Sequence, residues 1–132
     1  MSAIDYTHVI PKIDEVVKRG FCAGLGLRDG QMCVEAAICY ALGLPHGDDP
    51  GCVSPAVRRY KIVLNDANWS SSQARAQGLR DLAIAQLGSK GVVDETVFTK
   101  QLSHKTIQVM LPRLFREIFP YNKECLDAAS AC

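Results

Sequence analysis

The chain has 132 residues, of which 48% are apolar and 22% charged, and a formal net charge of +1. That length supports one hydrophobic core without disulfide or metal support, and the composition excludes disorder. The near-neutral balance gives no push toward nucleic acid or membrane, leaving only a weak asymmetry: residues 1–53 carry four bases against seven acids, residues 54–132 eleven against seven.

The opening stretch, MSAIDYTHVIPKIDEVVKRG, has acids where an export signal needs bases. The longest apolar run, near residues 32–42, is short of a membrane span. The expected setting is therefore the cytoplasm, with no membrane partner. Six cysteines stand at 22, 33, 39, 52, 125 and 132 with no C-x-x-C spacing, so they are expected to be reduced and mostly packed as small hydrophobes.

Pro11 opens a predicted helix through Arg19, with Ile13, Val16 and Val17 on one face and Gly20 ending it. GFCAGLGLRDG follows as a glycine-rich connection. Its G-x-G-x-x-x-G spacing is one residue off the dinucleotide fingerprint and no strand precedes it, which argues against nucleotide binding. QMCVEAAICYAL, residues 31–42, is predicted as a central helix with Met32, Val34, Ile38, Tyr40 and Leu42 in the core. After HGDDPGC, Ser54 caps and Pro55 opens a helix whose apolar stripe is Ala56, Val57, Tyr60, Val63 and Leu64, with Arg58, Arg59 and Lys61 off it. The serines after Trp69 cap a helix from about Gln73 to Leu87, whose small residues Ala74, Gly78 and Ala85 suit close packing. Residues 95–119 are helical in two pieces, broken near Ser103 and His104 and kinked or restarted at Pro112, and residues 120–132 add a short turn or fray. The predicted architecture is all-α, one domain of five or six helices over residues 1–132.

Three groups of side chains are candidate sites. His46, Asp49 and Cys52 are the residue types that bind zinc, with Cys33 nearby, but their spacing matches no zinc motif and a turn accounts for them. Cys33, near a helix start, could act as a nucleophile with Glu35, His46 and Asp49 as its polar partners; packing against Met32, Val34, Ala36 and Ala37 is the plainer expectation. Glu35, a carboxylate on an apolar helix, is expected to pair with Arg28, Arg58 or Arg59. Arg58, Arg59 and Lys61, with Trp69 as an aromatic anchor, form the candidate binding face, for a macromolecule or for a small anion held by Arg58 and Arg59. Nucleic acid is weakly supported, because the aromatic interleaving that grips single strands is missing.

The words GQMCVEAAICYALG, HGDDPGCVSPAV, LNDANWSS and LPRL resemble the landmarks of a small-protein family of bacteria, phages and mobile elements, over residues 20 to about 117. Some members of that family place the first-turn glutamate one position later than Glu35. The resemblance implies a genomic setting and no chemistry. The expectation is a helical protein that binds another macromolecule, most readily a protein, without cofactor or catalysis. The alternative is a small cysteine- or metal-dependent enzyme centred on Cys33, His46 and Cys52.

Overall fold

A computed structural model describes residues 4–132. The protein is all-α: α1 (Ile10–Arg19, entered by a 3-10 turn at Thr7–Val9), α2 (Val34–Ala41), α3 (Pro55–Asp66), α4 (Ser72–Ala85), α5 (Glu95–Lys105), α6 (Leu111–Ile118) and α7 (Lys123–Ala131). The described residues contain no strand, only isolated bridges pairing Met32 with Phe21 and Gly26. None of the described helices is long and apolar enough to cross a membrane. The chain divides into two compact units, meeting in sequence between Val93 and Asp94.

In the first unit, α2 is the centre and packs against α1, α3 and α4. Val34 and Ala36 to Cys39 are almost fully buried, as an all-apolar helix requires. The predicted helix over 31–42 is shorter at its start. Gln31 and Met32 are extended, since Cys22 N–H donates to Met32 O at 3.1 Å and Leu27 N–H to Gln31 O at 2.9 Å, tying both to the glycine-rich loop. Cys33 is the N-cap rather than a first-turn residue, and Tyr40 and Leu42 are only partly buried.

The predicted apolar stripe of α3 differs from the buried one. Val63 is 67% exposed, and the buried side chains are Val57, Lys61 and Asn65, at i, i+4 and i+8. The register follows from chemistry rather than hydropathy: facing α2, this helix presents a cation and an amide that find partners there.

Gly20 ends α1 with φ +87°, and Gly26 turns the following loop at φ +72°. A Cβ at Gly26 would collide with Gln31 O, Cys22 Sγ and Met32 Cα, so the backbone approach here is open to glycine alone. Trp69 packs on Gly78 of α4 and donates its indole N–H to Leu64 O at 2.8 Å, closing the corner between α3 and α4.

In the second unit, α5 runs into a π-turn, Thr106–Met110, and then into α6. The irregularity lies just ahead of Pro112, not at Ser103–His104. Proline has no N–H to donate and its ring crowds the preceding turn, and the wider π-turn relieves both. Within residues 120–132, expected to add a short turn or fray, Lys123–Ala131 form α7, capped by Asn122 Oδ1 accepting from Cys125 N–H at 3.0 Å. Helix α7 packs on α6, where Ala129 and Pro112 are buried.

Candidate functional site

In the first unit the polar chemistry collects around α2. Lys61 Nζ stands 2.6 Å from Glu35 Oε1, and both side chains are fully buried. The contact is an ion pair. Gln86, at the end of α4, donates from Nε2 to Glu35 Oε2 at 3.3 Å and leaves its own Oε1 without a partner. Burial pushes the Glu35 carboxyl up and the Lys61 ammonium down, each partly countered by the other's charge. The expected partners lie elsewhere. Arg28 donates to Leu44 O at 3.0 Å and stacks on Tyr40, Arg58 holds Asp48 at 2.7 Å, and Arg59 is exposed.

Asn65, near the end of α3, is the second organiser and is not among the residues that the sequence singles out. Its Oδ1 accepts from Val34 N–H at 3.0 Å, satisfying an amide at the start of α2, while Nδ2 donates to Cys22 O at 2.8 Å. Arg75 extends the clamp through three carbonyls, of Asn65, Phe21 and Ala67. Asp66 Oδ1 accepts from Gly24 N–H at 2.9 Å. These residues fasten the glycine-rich loop to α3 and α4. A signal for Asn65 exists in the text: its i, i+4, i+8 spacing with Val57 and Lys61.

Cys33 is a cap. Its Sγ accepts from Ala36 N–H at 3.3 Å, and burial pushes the thiol above its ordinary range. Beside it lies a cavity of about 50 Å³, lined also by Gly24, Asp48, Asn65 and Asp66. That holds a few water molecules and is far below the several hundred Å³ of an ordinary ligand pocket.

The loop around HGDDPGC disperses its side chains. His46 Nε2 meets Gly26 O at 3.1 Å, so the ring carries its proton there. Asp49 Oδ1 accepts from Gly51 N–H at 3.0 Å and closes the turn. Cys52 lies beside the Tyr6 hydroxyl, while its carbonyl accepts from Lys90 N–H at 3.0 Å. Among the described residues no three His, Cys, Asp or Glu side chains gather in a metal-binding group.

The candidate binding face is likewise not one surface. Lys61 is buried, Trp69 is partly buried against α4, Arg58 is engaged by Asp48, and Arg59 alone is open.

The second unit has a different character. Helix α5 has no buried residue. Met110, Leu114 and Ile118 follow one another at i, i+4 and i+8 and are 42–59% exposed, and Ile107 in the π-turn is exposed as well, while Leu111, Pro112 and Phe115 take the more covered positions. Helix α6 is thus amphipathic with only part of its apolar face covered. Val97, Val109, Phe119 and Tyr121 are exposed as well. The sequence reading places no site here.

No family model, curated protein or solved structure matches this chain.

Proposed function

We propose that the protein acts by binding another protein through the second unit, without catalysis. The observation that carries this reading is the exposed row Met110, Leu114 and Ile118. Apolar side chains scattered singly are ordinary; a row at i, i+4 and i+8 spacing on an amphipathic helix is the pattern that a partner's apolar side chains pack against. Its support is independent of Arg58, Arg59, Lys61 and Trp69, which serve the first unit's own packing or stand apart.

In this reading the first unit is a scaffold: its ionisable groups are turned on each other, and the space beside Cys33 is too small for a substrate. In the same reading the protein works in the cytoplasm with its thiols reduced. The family resemblance supports an accessory role in a phage or mobile element. The test is affinity enrichment from cells of the source organism, comparing the wild type with Met110→Ser and with Leu114→Asp. A discrete set of proteins lost in both variants, with circular dichroism unchanged, is expected. Equal recovery by all three overturns the reading.

A further inference from the structure

We propose that the partner is acidic: a protein segment that sets apolar anchors among clustered aspartates and glutamates. This inference rests on the binding reading above and names the chemistry of what binds.

Between Glu95 and Glu117 the chain runs 21 residues without a carboxylate, and the same stretch carries Lys100, Lys105, Arg113 and Arg116, with His104 among them. It is helical throughout, from α5 through the π-turn into α6. The positive stretch and the exposed apolar row are therefore one segment. Arg113 is drawn 2.8 Å from Glu117, and Arg116 reaches Ala129 O at 3.5 Å. No ion pair among the described residues holds Lys100 or Lys105. Those two lysines, with Gln101 and His104, form an open face of α5. Cations on the same helical segment as an apolar row suit an amphipathic acidic segment, with carboxylates at the lysines and apolar side chains on the row.

Two other occupants fit less well. A second copy would set one carboxylate-free segment against another, bringing like charges together. An anionic lipid surface draws on net positive charge, whereas residues 94–132 balance five bases with five acids. A single acidic segment of a protein can meet this stretch alone.

The full chain would be titrated into two fluorescent 21-residue peptides, both with leucine at heptad a and d positions, one otherwise rich in Glu and the other in Lys, with binding read by anisotropy. Vesicles of equal phosphatidylserine and phosphatidylcholine, and sedimentation of the chain alone, complete the set. The Glu peptide is expected to bind roughly ten-fold more tightly than the Lys peptide, and to weaken as salt rises. Lys100→Gln with Lys105→Gln should narrow the gap while leaving the circular dichroism unchanged, and Met110→Ser should weaken both peptides. Equal affinity for the two peptides, no binding to either, firmer binding to the vesicles, or self-association that blocks the peptides overturns the assignment. The binding reading fails separately, if the row variants recover the same proteins as the wild type.

Discussion

Lys61 Nζ and Glu35 Oε1 meet at 2.6 Å with both side chains wholly out of water. A buried pair of this kind gains strong attraction at low dielectric but loses two hydration shells, so its net worth is small while the cost of breaking it is large. Lys61→Met leaves Glu35 charged or forces it to take a proton, and is expected to cost about 3–5 kcal/mol in urea unfolding. Lys61→Met combined with Glu35→Gln should recover most of that loss. If the double variant is as unstable as the sum of the singles, the two residues are not coupled.

The same pair fixes a pH dependence. Burial raises the Glu35 carboxyl above its usual 4.5, so the folded state holds that proton more tightly than the unfolded chain does. The group's contribution is therefore fully present below 4.5 and is lost as pH rises through the raised value. Relative to Glu35→Gln, the wild type should gain stability as pH falls through that window. A relative loss on acidification would mean that Lys61 holds the carboxyl below its ordinary range instead. Lys61 is lowered from 10.5 by burial, so its contribution returns as pH rises above the lowered value.

Much of this could be read from the text, and the parts that could not share one cause. Helix positions followed from Pro11, Pro55, the serines after Trp69 and the breaking glycines, because caps and breakers act locally. The buried face of α3 did not follow, since hydropathy ranks Val63 above Lys61 and Asn65, yet Val63 is exposed and those two are buried. Glu35 is legible as an anomaly, but its partner is Lys61 and not one of the arginines. An ammonium reaching it from α3 depends on how α2 and α3 pack, which no local pattern encodes. Asn65 as a cap for α2 is 31 residues away from Val34 and equally non-local. The side chains of HGDDPGC suggested convergence, and the turn instead points His46, Asp49 and Cys52 at different partners.

Cysteine reactivity separates packing from chemistry. Burial raises Cys33, and it takes Cys39 up to about 11, whereas Cys132 is exposed. Iodoacetamide at pH 7, read per cysteine by peptide mass spectrometry, should label Cys132 early and leave Cys33 and Cys39 untouched until unfolding. Fast, selective labelling of Cys33 would restore the nucleophile reading.

Gly78 lies within α4, where helix propensity alone favours Gly78→Ala by about 1 kcal/mol. The Trp69 ring occupies that space, with its nearest atom 2.5 Å from where the new methyl would stand. The substitution should therefore destabilise the protein and shift Trp69 fluorescence, and a stabilised variant with an unchanged spectrum would show that the ring moves aside freely.

The central claim is that the apolar row of the second unit is a contact surface for another protein. A photo-crosslinking benzophenone amino acid placed at Leu114 in cells of the source organism tests it most directly, with the same group at the exposed Arg59 as the control. A discrete intermolecular adduct is expected from position 114 and none from position 59. Adducts only within the same chain from position 114, or the same adduct from both positions, would contradict it.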